Sequence, residues 1–304
     1  MQTISNFATN FEIQIMNKNS DKENLINYNG TLISANVPVF AIDNRAFRYG
    51  DGLFESIRII DGAIPLFHLH YPRLVHACEM LKLQLDKKFN ATYFKNQILK
   101  TAKAKGLDEN SRARLSIFRT AGGYYLPKSS KAEYIIEIRP LTENGFELNQ
   151  KGFKIDLYAD IEKPVSKLSS FKTCNALIYV LASLYRKEHG LDDCMLINWK
   201  SRIIESIDSN IFIVKNGVVH TPPLAEGCVA GVMRDYVLHL LEKLNIEFIE
   251  SPLSLEEIFT ADEMFLTNAI HGLKWVGEYK SKKYELNMAK TLSEALNKDL
   301  LKVW

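Results

Sequence analysis

Three residue pairs, Asn29-Gly30, Asp61-Gly62 and Asn216-Gly217, interrupt runs of strand-forming residues. A tight hairpin turn puts its central residues at positive φ, which Asn, Asp and Gly tolerate best. Sheet is therefore expected in both halves of the chain. Strands are predicted over residues 53–60, 113–119, 133–140, 153–159, 193–198, 211–215, 246–251 and 263–267. Helical spacing alternates with them. Residues 68–83 place Leu69, Leu74, Cys78 and Leu81 on much of one face, and residues 89–105 form a second helix closed by Gly106. Further helices are expected over 175–189, stopped by Gly190, then 234–244, 255–259 and 287–300. Strands and helices mixed in both halves predict two unequal α/β or α+β layers with a cleft between them. The expected division is an N-terminal extension over 1–24, a small α/β domain over 25–140, a linker over 141–151 and a larger domain over 152–304. The linker reading rests on the polar stretch TENGFELNQK and its Asn144-Gly145 pair.

Composition removes several function classes. The 304 residues can bury a sizeable core without disulfides or a structural metal. Lys plus Arg total 38 against 36 Asp plus Glu, a net charge of +2, so there is no basic excess for nucleic acid to recognise. No apolar run reaches membrane-spanning length, and no basic start followed by an apolar stretch suggests a signal peptide. Cys78, Cys174, Cys194 and Cys228 are scattered, with no CxxC and no zinc-ligand spacing, and read as reduced thiols of a cytoplasmic protein. His68, His70 and His76 lack a carboxylate at a recognised spacing, so no metal is expected. GxxxxGK[ST], a GxGxxG opening a βαβ unit, GxSxG and HExxH are all absent.

Several polar features remain. Lys172 in FKTCN sits where a polar loop gives way to an apolar helix. It reads either as a solvated lysine or as one carried into a cleft, with a depressed pKa suited to a Schiff base. Glu205 lies between two strand-like stretches and reads as a loop charge or as the partner of a protonated heteroaromatic nitrogen, with Asn210 shaping the loop. Gly231-Val232-Met233-Arg234 runs from a glycine into a helix, whose free N–H groups can hold a phosphate. Thr267-Asn268-Ala269 and Gly272 follow a strand and can add donors, and Arg73 can add a charged fork. Together these suit pyridoxal 5′-phosphate, which needs a lysine, an acid for its ring nitrogen and a phosphate cup.

The blocks DNRAFRYGDGLFESIRIIDG, LFHLHYPRL, FKTCN, ESIDSNIFIVKNGVVHTPP, GVMR and ADEMFLTNA resemble, in order and spacing, the fold-type IV pyridoxal-phosphate enzymes. That family, the class IV aminotransferases, includes branched-chain and D-amino-acid aminotransferases and aminodeoxychorismate lyase. The resemblance spans roughly residues 25–280. It implies a small α/β domain followed by a larger one with a barrel-like sheet. It also implies a homodimer whose site is completed by a loop of the second subunit. By the same resemblance Lys172 is the cofactor lysine and Glu205 the pyridine partner. Arg73, Val232 and Met233 then bind phosphate, with Asn268 and Ala269 on a second phosphate-side segment. Phe54 falls on the substrate side, and Arg58 or Arg114 can receive a substrate carboxylate. Two departures bear on the substrate. Only two residues separate Lys172 from Asn175, and Tyr124, a further substrate-binding candidate, stands where D-amino-acid enzymes carry an arginine. The expected activity is amino-group transfer between an amino acid and a 2-oxo acid, of branched-chain type. The alternative is a lyase releasing 4-aminobenzoate and pyruvate from aminodeoxychorismate.

Overall fold

With φ of 52° and 94°, Asn29-Gly30 folds β1 (Leu25–Tyr28) back on β2 (Thr31–Ser34). The computed structural model describes residues 24–143 and 145–300. Most of the expected N-terminal extension, Asn144 of the expected linker turn and residues 301–304 lie outside the described residues. The first layer continues through α1 (Arg45–Tyr49), β3 (Gly52–Ile60), α2 (Phe67–Met80), α3 (Ala91–Lys105), β4 (Asn110–Arg119) and β5 (Ala132–Pro140). Its strands pair antiparallel in the order β2-β1-β5-β4-β3, which leaves β3 at an edge. The apolar faces of α2 and α3 bury Leu74, Cys78, Phe94, Ile98 and Ala102 against Ile57, Leu115 and Ile136 of the sheet.

The second layer comprises β6 (Phe153–Lys163), α4 (Leu177–Glu188), β7 (Asp193–Asn198), β8 (Ile203–Ser206), β9 (Asn210–Lys215) and β10 (Val218–Thr221). It continues through α5 (Val232–Lys243), β11 (Phe248–Glu250), α6 (Leu255–Thr260), β12 (Glu263–Asn268), β13 (Gly272–Tyr279), β14 (Lys282–Lys283) and α7 (Met288–Leu300). The strand order is β11-β10-β9-β12-β13-β6-β7-β8, with β14 on β13. The two ends of this sheet approach each other. The Ile203 N–H of β8 donates to the Leu253 carbonyl, just beyond β11, at 2.8 Å, so the sheet curls into a barrel-like layer. β9 shows why its sequence is apolar throughout. Ile211 and Ile213 enter the inner core with Met195, Met264 and Val276, while Phe212 and Val214 pack under Val237 of α5 and Leu292 of α7.

Strand content exceeds the sequence expectation in the second layer. Residues 203–206, expected to flank a loop around Glu205, are strand β8, and β13 was not expected at all. Gly277 in β13 disguises the strand, and its role is close approach. A Cβ built on Gly152 would lie 2.5 Å from the Gly277 Cα.

Residues 141–143 and 145–151 run between the layers without lying free of them. Phe146 is buried in the second core, and the Asn149 side chain pairs with both backbone groups of Trp275 at 2.9 Å. Ile60 and Leu66 from the first layer are buried in that same core. Arg58, expected as a substrate-binding candidate, belongs to this seam. It is 1% exposed and donates to the carbonyls of Ile270 at 2.8 Å and Glu143 at 2.5 Å, and to Asn110 Oδ1 at 2.8 Å. Its place far along β3 carries it under the second layer, so it ties the layers and does not line the cavity between them. No described helix is long and apolar enough to cross a membrane.

Candidate active site

The seam opens into a cavity of about 450 Å³. The open edge of β3 builds its floor. Thr173 bridges Leu53, the Phe54 N–H donates to the Lys172 carbonyl at 2.8 Å, and the Cys174 N–H donates to the Gly52 carbonyl at 2.9 Å. FKTCN is thus pinned to the β3 edge through a single bridge at Thr173, which carries Lys172 into the cavity with Nζ 5.6 Å from the Phe54 ring centroid. Nζ donates no hydrogen bond among the described residues. Burial pushes the Lys172 ammonium below its ordinary pKa, helped by the Arg73 charge and opposed by Glu205, Asp208 and Glu55. A lysine with a lowered pKa exposes its nucleophilic neutral form more readily.

Glu205 faces the same cavity from β8 and is buried. Its Oε1 accepts from Lys163 Nζ at 2.5 Å and from the Tyr179 hydroxyl at 2.7 Å, and its Oε2 accepts from the Val229 N–H at 2.7 Å. Each carboxylate oxygen offers two lone pairs, so Oε2 keeps one for a ligand. Burial, reinforced by the Glu205 charge, drives the Tyr179 phenol far upward, so it stays a donor. Lys163 and Tyr179 were missed in the sequence. Nothing in a lone lysine at a strand end or a tyrosine on a helix marks either as the anchor of a carboxylate forty-two and twenty-six residues away.

The opposite end suits an anion. α5 starts at Gly231 without a side-chain cap, and the N–H groups of Val232 and Met233 lie in its first turn, where no intrahelical acceptor exists. A Cβ at 231 would lie 1.9 Å from Asn210 Oδ1, so any larger residue there has to displace the buried Asn210 side chain. Asn210 shapes this loop by donating to the Val229 carbonyl at 2.8 Å. Arg73 reaches the loop from α2, with Nη1 donating to the Ala230 carbonyl at 2.7 Å. Arg234 turns away to the Pro222 carbonyl and Glu250. The Asn268 side chain is spent locally. Its Oδ1 accepts from the N–H groups of Ile270 and His271, and its Nδ2 donates to Asp208 and Ser209. Asn268 therefore shapes the turn that brings Ala269 to the cavity wall. Beside it, the Thr267 hydroxyl is buried, lines the cavity and has no hydrogen-bond partner among the described residues.

An unpaired buried hydroxyl costs about 1–3 kcal/mol, so Thr267 calls for a ligand acceptor. A phosphorylated heteroaromatic aldehyde meets every demand of this donor set: an amine at Lys172, a carboxylate lone pair at Glu205, and a cup of N–H, hydroxyl and guanidinium donors.

The remaining wall comes from one face of β3 and β4. Phe54, Ser56, Arg112 and Arg114 all line the cavity, with the Arg114 guanidinium 3.6 Å above the Phe54 ring centroid. Arg112 has only a long contact to Ser56 Oγ, at 3.4 Å. Neither arginine forms an ion pair among the described residues. Arg112 was missed in the sequence, although its position two residues before Arg114 on a strand places both on one face. Tyr124 does not line this cavity. It is 82% exposed on the β4–β5 connection, where its carbonyl accepts from Arg45.

Residues 52–279 match the family model described as amino-transferase class IV. The chain is 31% identical over 245 residues to a putative branched-chain-amino-acid aminotransferase of Methanocaldococcus jannaschii, covering 79% of this chain and 82% of that protein. It is 26% identical to an aminodeoxychorismate lyase of Bacillus subtilis, covering 81% of this chain and 83% of that one. The fold of the branched-chain aminotransferase from Thermoproteus uzoniensis matches with a TM-score of 0.84 at 21% identity, over 91% of this chain and 95% of that chain. A family model spanning most of the chain, joined to this curled two-layer fold, leads to one assignment: the chain belongs to the class IV aminotransferases, the fold-type IV family of pyridoxal-phosphate enzymes.

Proposed function

We propose that the protein is an aminotransferase of branched-chain type, moving an amino group between an amino acid and a 2-oxo acid, with pyridoxal 5′-phosphate held by Lys172. The observation that carries this reading is the Lys172 amine, desolvated and without a hydrogen bond, in one cavity with Glu205 and the α5 helix start. The similarity to the Methanocaldococcus jannaschii protein supports it. Bound pyridoxal phosphate supplies an electron-withdrawing ring that stabilises the negative charge left when a substrate loses its α proton. Arg73, the Val232 and Met233 N–H groups and the Thr267 hydroxyl hold the phosphate. Glu205, fixed by Lys163, Tyr179 and Val229, offers Oε2 to the ring nitrogen. Lys172 would hold the cofactor through its amine and, when not so engaged, would take and return the substrate α proton. Arg114 and Arg112 receive carboxylate, which amino acids and 2-oxo acids both carry, and Phe54 packs against the rest of the substrate.

The second reading is aminodeoxychorismate lyase. It is favoured by the similarity to the Bacillus subtilis protein and by the two-residue spacing from Lys172 to Asn175. Both readings use the same lysine, so the test must use substrates. Protein loaded with the cofactor is mixed with single L- and D-amino acids while its visible absorbance is followed, and aminodeoxychorismate is assayed in parallel for pyruvate. Loss of absorbance with branched-chain amino acids supports transfer. Pyruvate release with every amino donor inert contradicts it.

A homodimer is part of the proposal. Leu177, Val180 and Leu184 form an outward apolar stripe on α4, each at least half exposed, and Tyr124, Tyr125 and Leu126 stand out on the β4–β5 connection. A second copy covers them and places Tyr124 near the neighbouring site. Four unpaired cysteines, three of them buried, suit a reducing cytoplasm.

A further inference from the structure

Arg73 is not free to aim itself. Its Nε donates to Glu55 Oε1 at 2.8 Å and its Nη2 donates to Glu55 Oε2, a bidentate fork, while Nη1 holds the Ala230 carbonyl. Three of its five N–H groups are thereby spent, and the guanidinium plane is fixed against the residue preceding Gly231. Behind it lies a third group. His70 Nδ1 is 2.7 Å from Glu55 Oε2, and Glu55 and His70 are 2% and 1% exposed. Neither lines the cavity. Burying a carboxylate and an imidazole this deeply carries a large desolvation cost that packing alone does not explain. Burial opposes ionisation of Glu55, yet the Arg73 charge and the His70 hydrogen bond hold it at about 2. It is therefore a permanent acceptor, and His70 carries its proton on Nδ1.

We infer that Glu55 and His70 are positioning residues for the cofactor phosphate, acting in series through Arg73. This rests on the reading that the α5 end of the cavity takes that phosphate. His70 orients Glu55, Glu55 locks the guanidinium plane, and the two remaining Arg73 N–H groups are left to the ligand. Removing the Glu55 charge has two opposite effects. It strengthens the bare pull of Arg73 on an anion, and, because an amide keeps only one acceptor oxygen, it breaks the two-pronged grip of Glu55 and leaves the fork at most one bond from that side chain. Orientation wins, because bidentate recognition requires alignment that a swinging side chain loses.

The test compares dissociation constants for pyridoxal 5′-phosphate and for pyridoxal, which lacks the phosphate, in one protein. Glu55→Gln is expected to cut the advantage of the phosphorylated form by about tenfold or more, with pyridoxal affinity nearly unchanged. His70→Leu moves the same way. His70→Asn, whose amide can donate where Nδ1–H does, keeps the wild-type ratio. Equal weakening of both ligands in Glu55→Gln, or an unchanged or raised ratio, would overturn the inference. Should Glu55→Gln not fold, His70→Leu against His70→Asn makes the same comparison, and equal ratios there overturn it too. Wild-type protein indifferent to the phosphate would instead contradict the site reading beneath it.

Discussion

At the scale of single residues, the site works by gathering buried and half-buried charges around one cavity. Arg112 and Arg114 face the cavity with no carboxylate partner among the described residues, so Arg112→Gln should raise KM for an acidic substrate by about tenfold or more and leave cofactor affinity unchanged. Glu55 also makes a pH prediction. Its folded pKa of about 2 lies below the ordinary 4.5, so its contribution to stability is complete above 4.5 and is lost as pH falls toward 2. Denaturant midpoints of Glu55→Gln should therefore fall less steeply than wild type across that window. Local pattern left Lys172 and Glu205 open between solvated charges and site groups, the resemblance of the surrounding blocks singled them out, and in the structure both line the cavity. Arg58 was misread. Its chemistry matches that of Arg114, and only its two-residue step beyond Ser56 along β3, under the 270 turn, makes it structural.

At the scale of elements, the α5 start depends on one missing Cβ. Gly231→Ala would force the new methyl into Asn210 Oδ1, costing about 1–3 kcal/mol of stability and moving Val232 and Met233 from their places. Cofactor dissociation and thermal unfolding measure the two effects together. Hairpin turns were readable because Asn29-Gly30, Asp61-Gly62 and Asn216-Gly217 all adopt the paired positive φ that their residue types permit. Strand β13 was not, because its glycine serves a contact with Gly152 that no local pattern reveals. The pairing of FKTCN with β3 was hidden for the same reason, since it joins residues more than a hundred positions apart.

At the scale of the whole molecule, two layers share a packed seam, and the seam is the site. Arg58→Ala would leave the buried Ile270 carbonyl without the Arg58 donor and the Glu143 carbonyl with only its bond from Asn110 Nδ2, and is expected to cost about 2–4 kcal/mol, seen as a lowered denaturant midpoint. If the proposed homodimer uses the exposed stripe on α4, wild type should scatter light as a dimer and Leu184→Asp as a monomer, and an equal mass for the two would contradict that interface. The most direct measurement of the central claim is the visible absorbance of the purified protein with pyridoxal 5′-phosphate, compared between wild type and Lys172→Ala. Wild type should show the spectrum of a lysine-bound cofactor and lose it on mixing with an amino donor as the 2-oxo acid forms, while Lys172→Ala should do neither. Wild type that never acquires the absorbance, or a Lys172→Ala variant with full turnover, would contradict the account.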